Sequence, residues 1–218
     1  MVRIAWRDLA GLATLEETLA DLSAFADDAV QLAVDYAMQA MITRYGAPLY
    51  DDGQPMPLVV IGMGKLGGRE LNFSSDIDLV FLFPEYGETH HAAPVSHDEF
   101  YIRLGQMLLR LLSSTTADGF VFRVDMRLRP FGDSGPLACG FSSFEDYLLQ
   151  HGRDWERYAW IKARVPYQQT EAYRFGNPIV DEWEGRVNAW PLDEGLIDYV
   201  DQTYGTESDE NEYYVLNV

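Results

Sequence analysis

The sequence has little cysteine and little positive charge, and each shortage excludes a class of protein. A single cysteine, Cys139, rules out a disulfide framework within the chain and fits a reducing compartment. Against 35 acidic residues there are 16 lysines and arginines, so the net charge is −19 and the isoelectric point is near 4.4. This balance argues against general binding to nucleic acid or to an anionic membrane. A phosphate-bearing ligand must therefore meet a local basic cluster or a metal ion.

Long apolar runs are missing as well. No stretch approaches the roughly 20 apolar residues of a membrane span, and the acidic segment 16–28 is unlike a signal peptide. These features predict a cytoplasmic protein. The 218 residues are 47% hydrophobic and 23% charged. This composition is typical of a globular chain with a hydrophobic core.

The acidity is divided unevenly along the chain. Residues 1–164 contain 23 acidic and 14 basic residues, whereas residues 165–218 contain 12 acidic and 2 basic ones. The second part also lacks the helical and strand periodicity of the first. The composition predicts a boundary near residue 164, with a separate C-terminal segment at 165–218. The patterns before it predict an N-terminal helical region at 1–57 and a mixed α and β domain at 58–164.

Capping signals and periodicity predict the elements of the first two parts. Thr14 with Glu17, and Ser96 with Glu99, open two helices, the first of which ends at Tyr45. The remaining patterns predict strands at 58–61, 76–83 and 120–128 and helices at 143–151 and 154–164. The fold class is therefore α+β, with a mixed sheet flanked by helices.

Two carboxylates open the second predicted strand. Because strand residues alternate between faces, Asp76 and Asp78 share one face about 7 Å apart. The two carboxylates repel each other unless a cation lies between them. Mg²⁺ fits such a site because it prefers oxygen ligands and shares them with substrate phosphates. The alternative is a solvent-facing edge strand without a ligand. Aspartate is a poor strand former at the start of so apolar a strand, which favours the metal site.

The third predicted strand repeats the polar alternation. Arg123, Asp125, Arg127 and Arg129 fall on one face of a strand over 120–128. Beside the first carboxylates, Asp125 would complete a three-carboxylate metal site, and the arginines would bind phosphate or nucleotide. The alternative is an exposed ladder of ion pairs within the strand.

The glycine-rich segment 62–68 lies between the first two strands. Its spacing matches neither the dinucleotide-binding fingerprint nor the P-loop. A turn remains, with a helix start near Gly68, whose backbone N–H groups and Lys65 can approach a phosphate. The alternative is a plain turn.

Three strings of this sequence resemble the bacterial glutamine synthetase adenylyltransferases, bifunctional enzymes that add AMP to and remove it from a tyrosine of glutamine synthetase. They are GMGKLGGRELNFSSDIDLVFLF at 62–83, DGFVFRVDMRLRPFGDSGPL at 118–137 and GRDWERYAWIKAR at 152–164. The resemblance covers about residues 22–164. It implies a nucleotidyltransferase fold of the polymerase-beta type, whose hallmark is matched by Gly67-Gly68 followed by Asp76-x-Asp78, with Asp125 as the third carboxylate.

The resemblance also implies an activity. Segments 72–75 and 155–158 are more similar to the N-terminal, AMP-removing domain, in which inorganic phosphate attacks the adenylyl-tyrosine and releases ADP. Two Mg²⁺ ions would be held by Asp76, Asp78 and Asp125. Nucleotide (ADP or ATP) or phosphate would contact Lys65, Gly67, Gly68, Ser75, Arg127 and Arg129. The implied partner is glutamine synthetase, with a PII-type signal protein as a possible second one.

From about residue 163 the sequence resembles a different family, imelysin, most specifically in NAWPLDEG at 188–195. The G-x-H-x-x-E metal motif of that family is absent, so no role is carried onto residues after Arg164. A fusion would explain the junction and predicts a loosely packed tail, with Trp183 and Trp190 away from the sheet. Two other functions stay open: a truncated remnant that binds nucleotide or partner without turnover, and an imelysin-like envelope protein.

Overall fold

A computed structural model describes residues 1–117 and 119–166. Four strands form one mixed sheet: β1 (Val59–Met63), β2 (Ile77–Phe83), β3 (Val124–Asp125) and β4 (Ala138–Gly140). The central strand, β2, pairs antiparallel with β1 along one edge. Its other edge is shared by two short parallel strands, β3 beside Ile77 and Asp78 and β4 beside Phe81 to Phe83.

Helices cover both faces of this sheet. They are α1 (Val2–Leu9), α2 (Leu15–Tyr45), α3 (Gly64–Gly67), α4 (His97–Ser113), α5 (Phe141–Gln150) and α6 (Asp154–Ala159), with 3₁₀ turns at Gly132–Ser134 and Trp160–Lys162. The predicted capping box is confirmed, since Thr14 Oγ1 accepts from the backbone of Glu17 and the Glu17 carboxylate accepts from the backbone of Thr14. The Ser96 side chain likewise caps α4.

The strand alternation divides the core into two parts. On one face Leu79, Phe81 and Phe83 of β2 pack with α2 and α4. On the other face Val80 and Leu82 pack with Phe144 and Leu148 of α5 and with Trp160. The predicted α+β fold, a mixed sheet flanked by helices with a helical N-terminal region, is therefore confirmed.

Three predicted elements differ most from the structure. The third strand spans only Val124–Asp125, because the backbone N–H groups of Val121 and Phe122 cap the carbonyl of Leu112 in α4. The chain then turns at once after Asp125. The short helix α3 precedes Gly68 and ends at Gly67 instead of starting near Gly68. The last α-helix ends at Ala159, and a 3₁₀ turn follows it.

Predictions on the tail, including the positions of Trp183 and Trp190, fall beyond residue 166 and lie outside the described residues. Within 1–117 and 119–166, no helix is both long enough and apolar enough to cross a membrane.

Candidate active site

Asp78 lies at the centre of the polar end of the sheet. It is paired in register with Asp125 of β3 on one side and with Met63 of β1 on the other. Residues in register on adjacent strands point to the same face. The two carboxylates therefore stand side by side, as predicted from the alternation of each segment.

The electrostatics of Asp78 follow from this position. Burial raises the pKa of its carboxyl to about 6, and the negative charges of Asp125 and Asp76 act in the same direction. The positive charges of Arg127 and Lys65 oppose the rise. When burial and like charges raise the pKa of a carboxyl in this way, a nearby cation stabilises its charged form.

Asp76 lies two residues earlier, just before β2, and is exposed. The Arg123 guanidinium donates from Nε to Asp76 Oδ1 and from a terminal nitrogen to the backbone carbonyl of Ser74, at 2.7 Å. This ion pair joins the segment before β2 to the residue that precedes β3.

Asp125 is held by its own neighbour, Arg127. The Arg127 backbone N–H donates to Oδ1 at 2.8 Å, and its Nε donates to Oδ2 at 2.7 Å. These hydrogen bonds hold the pKa of Asp125 below its usual range. The Arg127 side chain is 75% exposed whereas that of Asp125 is 15% exposed, so the arginine covers the carboxylate from the solvent side.

The donor set fits a hard divalent cation such as Mg²⁺, because all three side chains offer carboxylate oxygens. In residues 1–117 and 119–166, no three His, Cys, Asp or Glu side chains converge into a ready-made metal cluster. Asp76 and Asp125 instead engage Arg123 and Arg127. Ligation by all three carboxylates would compete with these two ion pairs, and it stays a prediction.

The glycine turn approaches these carboxylates at one point. Gly64 has a φ of +53°, and a Cβ added to it would stand 2.9 Å from Oδ2 of Asp78. A side chain would therefore be both strained and in conflict with the carboxylate. Lys65, the next residue, is exposed at the start of α3.

Gly67 and Gly68 face the other way, toward the 3₁₀ turn at Trp160–Lys162. A Cβ on Gly67 would lie 2.0 Å from the backbone oxygen of Lys162, and one on Gly68 would lie 3.0 Å from Cδ of the Lys162 side chain. The structure thus supplies a packing reason for this glycine pair. Its predicted contact with phosphate stays a prediction.

Ser75 and Arg129, two further predicted nucleotide contacts, make internal hydrogen bonds. The Ser75 hydroxyl donates to the side-chain oxygen of Asn72 at 2.8 Å. The largely buried Arg129 guanidinium donates to the carbonyl of Met126 at 2.7 Å and lies 3.5 Å from Asp133. It organises loop 126–135, so the predicted strand face shared by Arg123, Asp125, Arg127 and Arg129 is wrong beyond Asp125, where the strand ends.

The sequence interpretation missed one pair, Asp27 and Arg164. Arg164 donates to Asp27 of α2 at 2.9 Å and to the carbonyls of Leu66 and Gly67 at the end of α3. Its backbone exchanges two hydrogen bonds with Gly62 in β1. The partners are 137 positions apart in sequence, and no local pattern marks them. Arg164 thus connects the glycine turn to α2 and β1, on the side of the turn away from Asp78.

Comparison with known proteins adds two family matches. The sequence model described as glutamate-ammonia ligase adenylyltransferase matches residues 1–175, and that of imelysin matches residues 154–216. The first covers most of the chain. The second covers mainly residues that the structure does not describe.

Curated relatives share the name bifunctional glutamine synthetase adenylyltransferase/adenylyl-removing enzyme. The one from Thioalkalivibrio sulfidiphilus is 56% identical over 174 residues, which is 80% of this chain and 18% of the relative. The one from Shewanella oneidensis is 58% identical over 165 residues, 75% of this chain and 17% of the relative. The chain therefore spans less than a fifth of the length of these relatives.

Proposed function

The chain belongs to the glutamate-ammonia ligase adenylyltransferase family, and on that premise we propose that it is a nucleotidyltransferase that removes AMP from an adenylylated tyrosine of glutamine synthetase. An oxygen of inorganic phosphate forms a bond to the adenylyl phosphorus while the bond from that phosphorus to the tyrosine oxygen breaks. The products are ADP and the free tyrosine, which receives a proton. The names of the relatives include both AMP addition and AMP removal, and the resemblance of segments 72–75 and 155–158 supports removal.

The observation that carries the proposal is the parallel register of Asp78 with Asp125, with Asp76 two residues before. Three carboxylates at one end of a sheet suit phosphoryl transfer, which depends mainly on positioning and on charge stabilisation. When bound there, two Mg²⁺ ions would neutralise charge on the transferred group and orient the attacking and leaving oxygens. A PII-type regulator as an additional partner stays a prediction.

The chain's own residues take the remaining roles. Asp78, Asp125 and Asp76 would hold the metal, with Arg127 and Arg123 displaced from the carboxylates that they pair with. The exposed Arg127 then becomes free to bind a phosphate oxygen by a charge-assisted hydrogen bond. Gly64 keeps the backbone close to Asp78, and Lys65 supplies a second positive charge beside it.

The test is a double substitution, Asp76→Asn with Asp78→Asn, assayed with adenylylated glutamine synthetase, phosphate and Mg²⁺. Formation of ADP should fall at least about 100-fold, the size expected when charge stabilisation is removed from the transition state. Asp51→Asn, a change at an exposed carboxylate in the loop before β1, is the matched control and should retain activity. Survival of AMP removal in the double variant would contradict the metal assignment.

A second candidate function, nucleotide binding without turnover, is supported by the ion pairs that Arg123 and Arg127 make with Asp76 and Asp125. Mg²⁺-dependent binding of ADP without any release of ADP from the modified enzyme would favour this candidate over the first.

A further inference from the structure

An aromatic cluster lies at the surface, outside the carboxylate site. The Phe131 ring packs edge-on against Tyr147, with centroids 4.6 Å apart, and at a tilt against His151, with centroids 5.5 Å apart. Phe131 is 54% exposed, and His151 is exposed as well. None of the proposed steps uses these three side chains, which we call the aromatic cluster.

The aromatic cluster lies on the same face of the sheet as Asp78. Along β2, Asp78 shares a face with Val80 and Leu82, whose side chains pack against Phe144 and Leu148 of α5. Tyr147 is the neighbour of Leu148 and packs against this same core. Helix α5 therefore covers the middle of the face, and the aromatic cluster lies on its flank.

The loop that carries Phe131 starts at the carboxylate site. Residues 126–135 turn back on themselves directly after Asp125, and a Cβ on Gly132 would stand 3.5 Å from the carbonyl of Arg127. The buried guanidinium of Arg129 fixes the loop from inside. Phe131 is thus held a short distance from the arginine that covers Asp125.

The backbone of Phe131 is strained. Its φ of +61° lies in the left-handed region, which a bulky residue rarely adopts. Such strain persists where a side chain is aimed for function. The Phe131 backbone places its large ring half in solvent. A hydrogen bond to Glu156 holds the supporting Tyr147 side chain in place.

We propose that the aromatic cluster is the subsite for the adenine ring of the nucleotide, with Phe131 as the stacking platform. A purine offers a flat π-face, which stacks on aromatic side chains whatever its substituents. The phosphates of the same molecule would then reach toward Arg127 and the carboxylates. This inference rests on the proposed nucleotidyltransferase function, which supplies a nucleotide with its phosphates at that end of the sheet.

The test compares two probes that differ in the base, MgADP and magnesium diphosphate, on the full chain by titration calorimetry. Phe131→Ala should weaken MgADP binding about 5- to 150-fold, the fold-change that corresponds to loss of one base–aromatic stack. Diphosphate binding should stay unchanged. Phe131→Trp should preserve MgADP affinity, and Leu149→Ala, at an exposed apolar residue of α5, should change the binding of neither probe.

The outcomes distinguish failure of the adenine subsite from failure of the proposed nucleotidyltransferase function. Equal affinity of the wild-type chain for MgADP and diphosphate would overturn the adenine subsite and leave the phosphate site intact. Unchanged MgADP binding by Phe131→Ala, or an equal loss of affinity for both probes, would also overturn the adenine subsite. A wild-type chain that binds neither probe removes both proposals. Quenching of etheno-ADP fluorescence, present in the wild type and lost in Phe131→Ala, would independently support stacking.

Discussion

Two aspartate–arginine pairs lie on either side of the glycine turn, and they differ in burial. Behind the turn, Asp27 and Arg164 have side chains that are 14% and 17% exposed and join α2 to the end of α3. In front of it, Asp125 pairs with Arg127, whose side chain is 75% exposed. The rear pair holds separate elements together, whereas the front pair lies at the surface, where the proposed ligand would displace it. Under the proposed function, the same chemical contact is therefore an anchor in one region and a removable cover in the other.

Breaking the anchor should have the largest effect on stability. Arg164→Ala leaves Asp27 largely buried without its partner and removes the hydrogen bonds to the carbonyls of α3. We expect a loss of about 3 kcal/mol in the free energy of unfolding, measured by chemical denaturation, which is typical when one partner of a buried pair is removed.

The matched control is Arg127→Ala in the front pair. Because that guanidinium is mostly in solvent, its removal should cost at most about 1 kcal/mol. Equal losses from the two substitutions would show that the two pairs are alike, and would contradict the comparison.

The anchor could not have been predicted from the sequence, whereas the carboxylate end of the sheet largely could. Asp76 and Asp78 are close in sequence, and the period of a strand fixes their common face. The position of Asp125 beside Asp78 needed only the correct pairing of two strands. The partner of Arg164 is set by tertiary packing across 137 residues, which no local spacing encodes.

The sequence misled where a local contact overrode the strand pattern. The alternation of Arg123, Asp125, Arg127 and Arg129 suggested a long strand, yet the pairing ends at Asp125. The Asp125 carboxylate accepts from the backbone N–H of Arg127, and Arg129 donates to the carbonyl of Met126, so the chain turns. Aspartate side chains commonly compete with backbone pairing in this way.

A second substitution tests the packing behind the glycine turn. Gly67→Ala would place a methyl group against the Lys162 carbonyl, a backbone atom that can move only with its chain. We expect a loss of about 1–3 kcal/mol, the usual cost of overpacking. The measurement is again the free energy of unfolding.

Gly68→Ala is the matched control for this substitution. Its added methyl would meet the flexible ends of the Lys162 and Glu70 side chains, which can turn aside. The expected change is within about 0.5 kcal/mol. If both alanines cost the same, residues 160–164 do not pack on the turn as described.

Controls aside, the smallest expected effect has the opposite sign and concerns the front of the turn. Burial raises the pKa of Asp78 to about 6, so between its ordinary value and pH 6 the folded state binds more protons than the unfolded chain does. Stability of the metal-free protein therefore falls as the pH rises through that window. Asp78→Asn should remove this dependence and stabilise the metal-free chain at pH 7.5 by about 1 kcal/mol. This is less than the full pKa shift implies, because the site is partly solvated.

The free energy of unfolding, measured in EDTA at pH 4.5 and 7.5, tests this expectation. A destabilised Asp78→Asn at the higher pH would mean that this carboxylate helps to hold the fold, and the contrast between a stabilising anchor and a costly ligand-binding face would then fail.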